Sequence, residues 1–289
     1  MTWQLLLTVF LLLNTATYLL QRRLGQAIPQ YNRLVNGFFF LVIHYPLGLI
    51  TASIIGFSVH IGWANALTLL AMGITFPLTD MLAFRASKDV DAGLFGILTN
   101  LSPVITITFA ALLLSERLTP QQFAGALIII FSALLVSITA YNRSSKNTKA
   151  GIILALLSVM LLGLGTVYES WILKRIGMGS LLVYGLGLQT FWMAIFAWPQ
   201  RQHIRKIINL KYGPQVLALS LSKSLKGLAF IGALYLSKSA AIVSAFTGFL
   251  PVMLVLAGFL FLREKQYLKL KIAAAATGSI GLIVLSLGK

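Results

Sequence analysis

NLSPVITITFAALLLSERLT, residues Asn100–Thr119, is followed later in the chain by GFLPVMLVLAGFLFLREKQY, residues Gly248–Tyr267. Pro103 and Pro251 lie 148 residues apart, and the same interval separates Val104 from Val252, Thr99 from Thr247 and Glu116 from Glu264. A Ser-Lys pair precedes each block, at Ser87-Lys88 and Ser237-Lys238, with the spacing changed by two residues. One such match means little in apolar sequence, but four in a single register indicate an internal repeat.

Outward from these blocks the chain is overwhelmingly apolar. Of its 289 residues 58% are hydrophobic and only 10% charged, with a mean hydropathy of +0.90. A soluble domain carries roughly a quarter charged residues, so the surplus apolar surface has a bilayer as its solvent. Spanning segments must satisfy their own backbone hydrogen bonds, which leaves helices or closed barrels. Runs such as Ala124–Ala140 (AGALIIIFSALLVSITA) lack the alternation of a barrel strand. The fold expected is therefore all-α and integral to the membrane.

A span needs about 20 apolar residues, and the sequence divides into ten: 3–20, 32–52, 62–84, 92–115, 120–141, 149–172, 181–198, 213–236, 239–262 and 267–287. The second and third merge through Ile54, Ile55 and Phe57, and are divided near Ser58–Gly62. The N-terminal run Trp3–Leu20 lacks the basic leader of a signal peptide and reads as the first span. Residues 1–141 form one five-helix repeat, 142–148 a polar linker, and 149–289 the second repeat. Because five is odd, the repeats enter the membrane in opposite senses, the inverted arrangement of secondary transporters.

The Asn-Leu-Ser-Pro-Val start, the Ser115-Glu116-Arg117-Leu118-Thr119 end and Gly125 soon after resemble the EamA-type members of the drug/metabolite transporter superfamily. The second copy departs from the pattern, since Arg263-Glu264-Lys265 lacks the Leu-Thr ending and Ala273 stands where Gly125 stands. The resemblance implies a ten-helix carrier with a central cavity, working by alternating access. It leaves the substrate open.

Ionisable side chains inside spans are costly and point to function. Lys223 and Lys226 lie near the centre of the eighth span, three residues apart and so on one face. They would meet a carboxylate or phosphate of a substrate, form an internal network with Asp80 and Glu169, or snorkel to the interface. Asp80, in the third span after Pro77, would bind a substrate ammonium, cycle a proton or neutralise a lysine. Glu169, near the end of the sixth span beside Tyr168 and Trp171, is the other candidate for proton coupling.

Asn14, His44, Asn100 and Gln189 supply polar atoms for a cavity or for hydrogen bonds between helices. Thr99 and Trp192 join Asn14, His44 and Asn100 as candidate pocket residues, and Trp192 with Tyr184 would give it an aromatic wall. Pro103 and Pro251 each remove an N–H and free the carbonyls of Thr99 and Thr247, which predicts paired kinks serving as hinges or packing bends. Glu116 and Glu264 sit at helix ends beside arginines and read mainly as caps or ion pairs between adjacent helices. Trp3, Trp63 and Trp198 are expected in the interfacial belt, and Gly177, Gly179, Gly185 and Gly187 at close approaches around the seventh span.

The chain has no cysteine, three scattered histidines and no nucleotide-binding or hydrolase motif. No enzyme activity, metal or cofactor is expected. Its net charge of +17 sits in short loops, not in a basic domain, so nucleic acid is not an expected partner. The partners expected are a small-molecule substrate, the lipid bilayer and a proton or counter-substrate, for a monomer or weak oligomer in the cell (inner or plasma) membrane. The function expected is secondary export of small polar metabolites, first among them amino acids and related zwitterions. The alternative is an organic-anion or phosphate-ester antiporter; a cation or drug exporter, lipid flippase or membrane enzyme ranks lower. Loops after odd-numbered spans hold 16 Lys and Arg and the remaining loops and C-terminus five, which places both termini outside, whereas the resemblance implies both inside.

Overall fold

The computed structural model of the chain describes residues 2–27, 33–89, 98, 101–141, 149–208, 212–250, 253, 257 and 268–287. All regular structure among these residues is helical. In chain order the helices are α1 (Trp3–Ala27), α2 (Arg33–Ile55), α3 (Trp63–Asp89), α4 (Ser102–Leu114), α5 (Pro120–Tyr141), α6 (Lys149–Ser180), α7 (Leu186–Ala197), α8 (Arg201–Ile208), α9 (Gly213–Ser237), α10 (Ala240–Thr247) and α11 (Leu268–Leu287). A π-helical turn, Leu181–Gly185, leads into α7.

By length and composition, four stretches among the described residues can cross a membrane: Leu34–Ile55, Trp63–Ala83, Lys149–Ile207 and Gly213–Ser237. The chain is accordingly a helical, multi-pass membrane protein. Its outward faces carry large apolar side chains, with Ile54 79% and Leu112 72% exposed, as expected of a surface solvated by lipid tails. Hydroxyls inside the spans turn back on their own helices. Thr15 donates to Leu11 O at 2.8 Å, Thr75 to Ala71 O at 2.8 Å and Ser224 to Ser220 O at 2.8 Å. Each thereby satisfies its own O–H where no water would.

Helices begin and end close to where the hydrophobic pattern places them. The division expected near Ser58–Gly62 is the connector between Ile55 and Trp63, opened and closed by Gly56 (φ +85°) and Gly62 (φ +71°). α1 and α3 run past the expected ends at 20 and 84, to Ala27 and Asp89. Once a helix leaves the hydrocarbon, continuing it still satisfies its backbone, so polar residues extend it. α6 runs past 172 and bends at Gly177, whose φ of +77° and ψ of +167° suit only glycine.

α1 packs on α9, and α3 on α6. α2 lies against both α9 and α7, α3 against α7, α4 against α6 and α10, and α5 against α11. Small residues permit the closest approaches: a Cβ on Gly125 of α5 would stand 2.5 Å from Leu285 N of α11. The connectors between α2 and α3 and between α6 and α7 also meet. A Cβ on Gly179 would collide with Gly56 O. Ser58 N–H donates to Ser180 Oγ at 3.0 Å, and Tyr184 Oη–H to Val59 O at 3.2 Å. Close approach at the glycines before the seventh span is thus realised at Gly179.

Candidate functional site

α9 carries both lysines on the face turned to α1 and α2. Lys226 Nζ donates to Asn14 Oδ1 of α1 at 2.5 Å. Lys223 Nζ lies 5.4 Å from the centroid of the Phe40 ring of α2, within the range of cation–π attraction. Phe40 stacks in turn on His44, one turn along α2, with ring centroids 4.9 Å apart and planes at 21°. His44 is buried, and its ring presses on α9 where Gly227 leaves room, since a Cβ there would stand 2.9 Å from His44 Nε2. Four sequence candidates, Asn14, His44, Lys223 and Lys226, therefore share one junction of α1, α2 and α9.

Asp80 of α3 also stands beside α2. A Cβ on Gly37 of α2 would stand 3.5 Å from Asp80 Oδ2 and 2.8 Å from Met193 Cε of α7, so the α3 carboxylate borders the α2–α7 contact. Trp192, next to Met193, presses on α3 where Gly73 leaves room, its Cδ1 3.5 Å from the position of a Cβ. His44 Nδ1 and Trp192 Nε1 are both buried and without a hydrogen-bond partner among the described residues. They lie 148 residues apart, the interval of the sequence repeat, and each sets an aromatic ring against a glycine of a neighbouring helix.

Glu169 of α6 is 5% exposed, and no described side chain hydrogen-bonds or ion-pairs with it. It is not brought to either group. Gln189 is buried on α7. Thr99, Asn100, Pro251 and Glu264 lie outside the described residues. Pro103 sits in the first turn of α4, which starts at Ser102. There a missing N–H costs nothing, so Pro103 marks a helix start and not an interior kink. It packs on α10, with Pro103 Cγ 3.5 Å from where a Cβ on Gly248 would lie.

Glu116 has a different place from the lysines. Ser115 adopts φ +54° at the end of α4, and Glu116 N–H donates to Ala110 O at 3.2 Å, which fixes the carboxylate beyond the helix. Its Oε1 accepts from Lys174 Nζ of α6 at 2.8 Å. Its Oε2 accepts from Ser239 Oγ at 2.9 Å and from Ala241 N–H at 3.2 Å, at the start of α10. Ser239 Oγ in turn accepts from Ile242 N–H as the N-cap. Glu116 thus ties three helices together, the cap and ion-pair role expected of it.

Two grooves lie apart from these groups. One, of about 370 Å³, is lined by Leu6, Met178, Leu228 and Gly232 among others, and the second, of about 180 Å³, lies between α2, α8 and α9. Both are apolar, and no candidate site residue lines either. Of the expected belt tryptophans, Trp63 (78%) and Trp198 (66%) are exposed. Trp3 instead packs edge-on against Phe246 at 6.1 Å, near the buried end of α10.

Residues 1–138 match the model of the EamA-like transporter family. No curated protein matches the chain. A solved structure described only as a crystal structure of a protein superposes with a TM-score of 0.70, covering 96% of this chain and 98% of its own, at 17% identity. That likeness shows the fold. The family match bears out the resemblance carried by the Asn100–Thr119 block.

Proposed function

We propose, from the match of residues 1–138 to the EamA-like transporter family, a membrane transporter of the drug/metabolite type that acts as a secondary exporter of small zwitterionic metabolites, amino acids first. The observation that carries this is the placing of both charge signs around α2: Lys223 and Lys226 at its α1–α9 side, Asp80 at its α7 side. Ammonium groups inside spans attract a carboxylate, and a carboxylate attracts an ammonium or a proton. Asn14 orients Lys226, while His44 Nδ1 and Trp192 Nε1 offer polar atoms that a substrate satisfies. Thr99 and Asn100 complete the pocket in this reading, and Glu169 serves with Asp80 in proton coupling.

Alternating access between two inverted repeats, 1–141 and 149–289, is the mechanism we infer. Helix pairing supports it. Exchanging α1 with α6, α2 with α7, α3 with α9, α4 with α10 and α5 with α11 turns the α3–α6 contact into α9–α1 and the α2–α9 contact into α7–α3, and maps α2–α7, α4–α10 and α5–α11 onto themselves. Pro103 and Pro251 would then mark equivalent helix breaks. The location proposed is the cell membrane, with basic loops toward the cytoplasm.

Counterflow in proteoliposomes tests the proposal. The chain should exchange amino acids bearing both free charges, and neither their esters nor their acylated forms. Exchange confined to dianions that requires anion on both sides would instead support the phosphate-ester antiporter.

A further inference from the structure

We infer that α8 and the groove beneath it form a binding site for an anionic phospholipid. α8, RQHIRKII, follows a 3-10 turn, Trp198–Gln200, whose first residue is exposed. Ile204 and Ile207, three residues apart, are buried in one apolar cluster with Leu24 of α1, Val35 of α2, and Val216 and Leu219 of α9. The helix is thereby pinned against the bundle, and Arg201, Gln202, Arg205 and Lys206 are left exposed. Arg201 lies 5.4 Å over the Trp198 ring. A short amphipathic helix with isoleucines inward, basic groups outward and a tryptophan at its start sits at headgroup level.

The second observation is independent of that charge. The apolar groove of about 180 Å³ runs from Ile207 of α8 along Phe39 and Ile43 of α2 and Gly213, Val216 and Leu217 of α9. It begins at the helix that carries the basic groups and continues down two membrane helices. A free inorganic anion has no use for such a groove, and a zwitterionic lipid gains less from three cations. One ligand fits both parts. A phospholipid with net negative charge sets its phosphate against Arg201, Arg205 or Lys206 and lays an acyl chain along Leu217.

The full chain in nanodiscs of phosphatidylglycerol and phosphatidylcholine with identical acyl chains tests this, the retained lipid being counted by native mass spectrometry. Phosphatidylglycerol should be enriched around the wild type. Enrichment should fall roughly fivefold for each basic side chain removed in Arg201→Gln, Arg205→Gln and Lys206→Gln. Leu217→Trp, which fills the groove from its exposed side, should lower retention with the basic residues intact. Equal retention of both lipids by the wild type, or enrichment untouched by all four variants, overturns the proposal. So does equal protection by inorganic phosphate in neutral lipid, which would leave an anion site with no lipid in it. Each variant is compared at matched folded fraction, and Arg205→Lys, which keeps the charge, should keep the enrichment.

Discussion

Lys226 of α9 reaches across to Asn14 of α1 and donates to its Oδ1 at 2.5 Å. The contact joins α1 and α9 through a charged donor and a neutral acceptor. Lys226→Met and Asn14→Leu should both slow counterflow, the first by tenfold or more, since a hydrogen bond to a charged group contributes about 1.5–3 kcal/mol. Asn14→Asp should slow it as well, because a carboxylate there neutralises the ammonium. Unchanged exchange in Lys226→Met at normal folded yield removes Lys226 from the site.

His44 and Trp192 separate transport from stability. Each buries a ring nitrogen without a partner among the described residues, a destabilising arrangement worth about 1–3 kcal/mol per group. His44→Phe and Trp192→Phe keep the rings against Gly227 and Gly73. Both variants should melt at or above the wild-type temperature while exchange falls. Lower melting with normal exchange would make the two rings packing residues only.

Glu116 anchors α4 to α6 and α10 through three hydrogen bonds. Lys174 is 40% exposed and Glu116 10%. Removing the lysine loses a screened pair worth about 0–1 kcal/mol, whereas Glu116→Ala also strips the α10 terminus, at about 1–3 kcal/mol. Thermal unfolding in detergent should therefore rank Glu116→Ala well below Lys174→Ala. Equal losses would mean that the ion pair alone matters.

Gly125 tests helix packing. An alanine there meets backbone of α11 at 2.5 Å, which cannot yield as a side chain does, and overpacking costs about 1–3 kcal/mol. Gly232→Ala meets Leu6 Cδ1 at 3.2 Å and Met178 Cε at 3.8 Å, ends of flexible side chains that can turn away. The first should lower the melting temperature by several degrees and the second barely at all.

Orientation is open to direct measurement because the chain contains no cysteine. His203→Cys on α8 should react with an impermeant maleimide only after permeabilisation, and Lys238→Cys should react in intact cells. The reverse pattern would set the resemblance above the loop charge.

Hydropathy made most helices legible, since a span must be apolar along its length whatever its neighbours do. Where helices leave the hydrocarbon that signal ends, and the extensions to Ala27 and Asp89 went unseen. α8 is hard to read for the same reason: three of its eight residues are cations, and Ile204 and Ile207 at a spacing of three are its one mark of a helical face. Among candidate residues, the grouping of Asn14, His44, Lys223 and Lys226 depends on contacts between helices more than a hundred residues apart. No pattern along one helix encodes which neighbour its polar side chain meets. The Glu116 clasp was foreseeable as a cap, and its partners Lys174 and Ser239 were not.

Gly56 and Gly179 meet backbone to backbone, so at that point no side-chain torsion can swing to absorb a displacement. The Ser58–Ser180 and Tyr184–Val59 hydrogen bonds latch the same two turns. Parting the turns would break all three contacts together. Slow, discrete exchange between two levels is what a pair of dyes on those turns should record.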